Sequence, residues 1–298
     1  MSSTVWPVLE LNRESTFSAD EAPIERLATG EIAAVIFRGA FPSDECRSLV
    51  RHLIDEELMY ESLDPRIADR ALPAGRANRY QGRDVNPAQS ERKRIDIGTS
   101  LGNLGDDREE FFADASQTEQ LFGRLFVDRE NPLDVVYDNL AKIAPGQRVV
   151  TAYEPDGRRY GPAIFRVHYG GFTYAPHFDS VRNREQRTSY AVYKYAHQLA
   201  GVLCIQNATA AGVSAQAILH QQLWCEEISP ILQAGRFHDY AEKNEIANFC
   251  VELEPGDLYF FNTGLIHEVP GVSGELPRIV LATFIGYSDD EDEIMVWS

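Results

Sequence analysis

Glu254-Pro255-Gly256-Asp257-Leu258-Tyr259-Phe260-Phe261-Asn262-Thr263-Gly264-Leu265-Ile266-His267 is the stretch from which the rest of the chain becomes readable. Pro255 and Gly256 occupy the two central positions that a type II turn favours, because proline presets φ and glycine accepts a positive one. The turn launches an apolar strand over residues 258–261, and Asn262-Thr263-Gly264 breaks the chain just before His267. A single strand histidine has an ordinary explanation as a packed, hydrogen-bonded residue, so its meaning depends on its partners.

Those partners lie on either side. Upstream stands His177-Phe178-Asp179. On a strand, side chains two apart share a face, so His177 and Asp179 are placed to hold one metal while Phe178 packs behind them. Downstream, Arg278 heads the run Arg278-Ile279-Val280-Leu281-Ala282-Thr283-Phe284-Ile285, which is apolar and β-branched enough to be a buried strand. A charge at its head needs a partner. Two imidazoles and one carboxylate are the facial ligand set of a non-haem Fe(II) site with open positions. A guanidinium beside it matches a carboxylate such as the distal one of 2-oxoglutarate. Taken singly, each piece is commonplace; the order His-x-Asp, long gap, turn, strand, His, Arg, strand carries the metal reading.

Further motifs sharpen it. Ala33-Ala34-Val35-Ile36-Phe37-Arg38-Gly39-Ala40-Phe41-Pro42, Pro255-Gly256-Asp257-Leu258-Tyr259-Phe260-Phe261-Asn262, Pro277-Arg278, Tyr287-Ser288 and Trp297-Ser298 together touch both ends of the chain. In these the chain resembles the Fe(II)/2-oxoglutarate-dependent oxygenases, and among them the freestanding halogenases that act on cyanobacterial indole alkaloids. The resemblance implies a mainly β fold with flanking helices: a double-stranded β-helix, the cupin-like jelly roll. It implies Fe(II) with 2-oxoglutarate and O2 as cosubstrates, His177 and His267 as ligands, and Arg278 as the cosubstrate clamp. One position departs from the halogenase pattern. Those enzymes have glycine where this chain has Asp179, and the missing carboxylate opens the coordination position that chloride takes. With Asp179 present, the expected activity is hydroxylation of an unactivated C–H bond of a freestanding small molecule in secondary metabolism. Halogenation, or desaturation or cyclisation by the same superfamily, is the nearer alternative, and a non-catalytic cupin-like binding protein the more distant one.

The strand-rich pattern occupies residues 147–298, with strands expected at 147–153, 163–169, 199–206, 249–253, 258–261, 278–287 and 294–297. Residues 1–146 read as a helix-rich support: a helix opened by Ser43 as its cap, a second carrying Leu121, Phe122, Leu125 and Phe126, and a third from Pro132 to the break at Pro145-Gly146. No repeat or low-complexity linker divides them, so one domain over 1–298 is expected.

Two arginine-rich segments are candidate pocket lids, residues 61–96 and 180–189; the second contains Arg182, Arg184 and Arg187. Arg166, Tyr153, Tyr174 and Trp224 are candidate pocket residues, whereas His52, His168, His197, His220 and His238 show no partner pattern.

With 28 basic against 46 acidic residues, a net charge of −18 argues against nucleic acid and anionic membranes as partners. Four cysteines without C-x-x-C spacing fit a reduced, cytoplasmic setting, and no apolar run is long enough to span a bilayer.

Overall fold

The computed structural model describes residues 6–12, 14–15, 17, 23–61, 94–102, 107–210, 213–214, 216–271, 274 and 276–298. In chain order the strands are β1 (Leu9–Leu11), β2 (Val35–Phe37), β3 (Arg94–Ile97), β4 (Arg148–Thr151), β5 (Ile164–His168), β6 (Tyr174–His177), β7 (His197–Gln206), β8 (Thr209–Ala210), β9 (Val213–Ser214), β10 (Ala217–Leu223), β11 (Asn248–Val251), β12 (Leu258–Asn262), β13 (Leu265–Val269), β14 (Arg278–Tyr287) and β15 (Glu293–Trp297).

Nine strands form the major sheet, with the path β1-β2-β12-β7-β14-β15-β4 and β5 carrying β3 against the first half of β14. The minor sheet runs β11-β10-β13-β6. This pair of facing sheets is the double-stranded β-helix. β8 and β9 form a small separate ribbon.

The major sheet shows why its strands are apolar almost throughout: both of its faces are covered. Along β14, Ile279, Leu281, Ile285 and Tyr287 join the core beneath the helices, while Arg278, Val280, Ala282 and Phe284 turn to a cavity between the sheets. β7 and β12 repeat the alternation. Leu199, Leu203, Leu258 and Phe260 face the helices; Ala200, Val202, Tyr259 and Phe261 face the cavity side. Period-two alternation with two apolar faces reads in sequence as a continuous run.

The helix Ser43–Asp55 buries Cys46, Leu49 and Leu53 on one face. Its cap differs from the expectation: Pro42 holds the N-cap position and no side chain caps the helix, so Ser43 is already inside the first turn. The helix Arg108–Leu125 begins earlier than its apolar stripe suggests, because Asp107 caps it by accepting from the N–H groups of Glu109 and Glu110. The helix Pro132–Ile143 is capped by Asn131 and has proline in its first turn. Leu121, Phe122, Leu125, Val136 and Leu140 from the last two helices enter the same core as the outer face of the major sheet.

The turn at Glu254 forms as its sequence requires. The Asp257 N–H donates to the Glu254 carbonyl at 3.0 Å, and Gly256 has φ +100°. The Asp257 carboxylate accepts from the Gly39 N–H at 2.8 Å and from Arg38 at 2.8 Å, fixing the turn to the chain after β2. Beyond β12 the break at Asn262-Thr263-Gly264 does more than end a strand: it carries the chain from the major sheet (β12) to the minor one (β13).

Candidate metal and cosubstrate site

The two sheets enclose a cavity of about 800 Å³ lined by His177, Asp179, His267 and Arg278. All four residues singled out in the sequence therefore meet in one place. β6 and β13 are antiparallel neighbours, with His177 directly opposite His267 and their ring centroids 4.2 Å apart. The strand β6 ends at His177, so Asp179 stands just past it. Its placement survives because the Asp179 N–H donates to the Thr263 carbonyl at 2.9 Å, and the Thr263 hydroxyl donates back to the Asp179 carbonyl at 2.9 Å. Phe178 points the opposite way, behind the candidate ligands, where it stacks on Trp224 with centroids 4.7 Å apart.

Each imidazole is fixed in a metal-binding tautomer. His177 Nδ1 lies 2.8 Å from the Ala175 carbonyl and His267 Nδ1 lies 2.8 Å from the Leu265 carbonyl. A carbonyl only accepts, so both Nδ1 atoms carry the proton and both Nε2 atoms present a lone pair to the cavity. Asp179 Oδ2 faces them at 3.7 Å from His177 Nε2 and 3.6 Å from His267 Nε2. The three ligand atoms lie within 4.8 Å of one another, close enough to share a single ion.

The electrostatics agree. Burial, reinforced by the neighbouring His267, pushes the His177 imidazole down to about 4, which leaves it unprotonated at neutral pH. Burial by itself would raise the Asp179 carboxyl, but His267, His177 and Arg184 together hold it well below the usual carboxylate range. Arg184 donates to Asp179 Oδ1 at 2.7 Å and to the Phe178 carbonyl at 2.8 Å, orienting the carboxylate. One oxygen is thus tied and the other faces the imidazoles.

Opposite the candidate ligands, the major sheet supplies charge. Arg278 is buried, and its Nη1 lies 3.2 Å from His168 Nδ1 on the neighbouring strand β5. A guanidinium only donates, so His168 accepts at Nδ1 and presents Nε2–H to the Tyr174 hydroxyl at 3.2 Å. Burial, followed by the charges of Arg278, Arg94 and Arg166, lowers the His168 pKa far below its ordinary value. Arg94 and Arg166 share the buried Asp96, at 2.6 and 3.1 Å. The wall therefore carries three guanidiniums and one carboxylate in a chain whose net charge is −18, a local field suited to an anion.

Sequence reasoning missed His168 because nothing in its local pattern marks it; its partner is on β14, across the β5–β14 register. Tyr174 and Arg166 do line the cavity. Trp224 lies behind Phe178, and Tyr153 is exposed beside Glu293. The segment 180–189 spends its arginines locally: Arg184 on Asp179, Arg187 on Glu185, and Arg182 over the Tyr193 ring. Most of the other candidate lid, residues 62–93, lies outside the described residues.

Residues 6–298 match the family described as carrier-protein-independent halogenase WelO5. The chain belongs to the WelO5 family. It is thereby an oxygenase of the Fe(II)/2-oxoglutarate-dependent superfamily, whose reactions take Fe(II), 2-oxoglutarate and O2. No curated protein matches its sequence. Among solved structures, this member of the WelO5 family is similar to an N-substituted L-amino acid dioxygenase from Burkholderia ambifaria AMMD in complex with alpha-KG. The TM-score is 0.55 at 16% identity, over 94% of this chain and 91% of that one. A second structure of that dioxygenase gives the same TM-score and identity over 93% of this chain and 91% of that one. At this identity the likeness speaks for the fold. Among the described residues, no helix is long and apolar enough to cross a membrane.

Proposed function

We propose that this chain hydroxylates an unactivated C–H bond of a freestanding small molecule, with His177, Asp179 and His267 holding Fe(II) and Arg278 receiving the distal carboxylate of 2-oxoglutarate. The observation that carries it is the Asp179 carboxylate, oriented by Arg184 and aimed between the two imidazoles. The halogenases that the sequence resembles have glycine there, leaving a position for chloride. Here a carboxylate fills it.

When bound, the iron would supply oxidation of the C–H bond with O2, coupled to conversion of 2-oxoglutarate into succinate and CO2. The chain's own residues have simpler tasks. The Nδ1–H bonds to Ala175 and Leu265 keep both imidazoles turned to the cavity. Arg278, steadied by His168, sits in the buried wall where a carboxylate gains most from a charge-assisted bond. Val202, Phe261, Val280 and Phe284 give the cavity apolar walls that exclude water and take up an apolar substrate body.

Family membership favours a second reading, halogenation. A test that needs no substrate separates the two. Chloride is added anaerobically to the enzyme with Fe(II) and 2-oxoglutarate while the visible charge-transfer band is recorded. The hydroxylase reading expects no change in the intact protein and a chloride-dependent shift in Asp179→Gly; a shift in the intact protein overturns it.

A further inference from the structure

The strand that carries His267 has a second cluster on its other face. Glu268, the next residue along β13, points away from the cavity, and its Oε1 lies 3.0 Å from His220 Nε2 and 2.9 Å from His238 Nε2. The three ligand atoms fall within 4.8 Å of one another. They come from three separate elements: His220 from β10, Glu268 from β13, and His238 from the helix Phe237–Lys243.

We propose that His220, His238 and Glu268 form a second metal site, for a divalent ion of the zinc class, on the outer face of the minor sheet. The donor set, two imidazoles and one carboxylate, is one that zinc takes with a fourth position left to water. Bonds of about 2.0–2.1 Å in a tetrahedron put neighbouring ligand atoms roughly 3.3 Å apart. The two nitrogen–oxygen separations are already close to that. Convergence is the telling feature: both imidazoles address the same carboxylate oxygen. His220 and Glu268 are buried, whereas His238 is 64% exposed, so the open position faces solvent.

The surroundings give such an ion a structural task. His220 Nδ1 has no hydrogen-bond partner among the described residues, so Glu268 is the polar contact that accounts for the position of its ring. The helices covering this face are short: Ser229–Gln233 has five residues and Phe237–Lys243 has seven, and neither has a side-chain cap. Their apolar anchor is a small cluster of Ile228, Phe237 and Ala241 against Phe178 and Ile266. Those last two are the neighbours of His177 and His267 that face away from the cavity. An ion bridging β10, β13 and the helix clasps this cover to the back of the strands that carry the candidate iron ligands.

The site stands apart from the proposed hydroxylase function, and Co(II) tests it on the full-length, metal-free enzyme. Four-coordinate cobalt lacks a centre of symmetry and absorbs intensely in the visible, unlike six-coordinate cobalt. Intact protein is expected to bind two equivalents, one of them with intense bands. His238→Ala, which alters an exposed ring, and Glu268→Gln are each expected to lose those bands and one equivalent. Both are expected to keep the charge-transfer band with Fe(II) and 2-oxoglutarate. Absence of the intense bands in the intact protein, or intense bands that persist in His238→Ala with its circular dichroism unchanged, overturns the proposal. Failure of the charge-transfer band alone counts against the iron reading and leaves the cobalt result decisive for this one.

Discussion

Arg278 and His168 face each other across β14 and β5, with the guanidinium donating to an imidazole that burial keeps unprotonated. A carboxylate partner would have neutralised Arg278; a neutral imidazole orients it and leaves its charge available to a ligand. His168→Leu removes the orienting acceptor and leaves the charge. A hydrogen bond to a charged group is worth about 1.5–3 kcal/mol. The dissociation constant for 2-oxoglutarate is therefore expected to rise about tenfold or more, measured by anaerobic titration of the metal-loaded protein, with Arg278→Ala more severe.

The same imidazole makes stability depend on pH. The folded pKa of His168 lies well below the ordinary 6.5 that the unfolded chain retains. Above 6.5 both states are unprotonated and no penalty exists; below it the unfolded state binds a proton that the folded state refuses, so stability falls as pH falls. The slope approaches about 1.4 kcal/mol per pH unit for one such group. His177, pushed down to about 4, adds a slope of the same sign in metal-free protein. Urea unfolding at pH 7 and pH 5 should show the loss, and His168→Gln should reduce it, leaving the part contributed by His177.

Arg184 is expected to matter through Asp179. Arg184→Ala frees the carboxylate oxygen now held at 2.7 Å and leaves both imidazoles in place. Loss of such an outer partner typically costs 10–100-fold in metal affinity. Fe(II) binding measured by competition with a chelator should weaken by about that factor, with the melting temperature little changed.

Gly256 tests the turn from which the sequence was read. It has φ +100°, and a Cβ there would lie 2.1 Å from the Phe41 carbonyl oxygen. Both the strained φ and the backbone clash oppose any side chain, so Gly256→Ala should destabilise the fold by more than about 2 kcal/mol. Thermal denaturation measures this directly.

What the sequence made legible follows the range of the signals. The turn at Pro255-Gly256, the run from Arg278 and the alternation at His177-Phe178-Asp179 are local and were readable as such. β13 was hidden because its five residues follow β12 after two turn residues, and only the assembled sheets show that the chain changes layer there. β10 and β3 were missed for a related reason. His220 interrupts the apolar pattern of one, and Arg94 and Asp96 that of the other, because these polar residues find partners on other elements: His220 on Glu268, Arg94 on Tyr174 and Asp96 on Arg166. Arg184 was read as part of a mobile lid, since charge alone does not reveal that its partner is five residues back. His168, His220 and His238 acquire meaning through sheet register and a helix laid across it, which no local window contains.

The most direct test of the central claim is anaerobic addition of Fe(II) and 2-oxoglutarate to metal-free protein, recording the visible metal-to-ligand charge-transfer band. The band should form in the intact protein, weaken in Arg278→Ala and vanish in His267→Ala. A folded protein that gives no band, or a band indifferent to His267, would contradict the assignment of His177, Asp179 and His267 to iron.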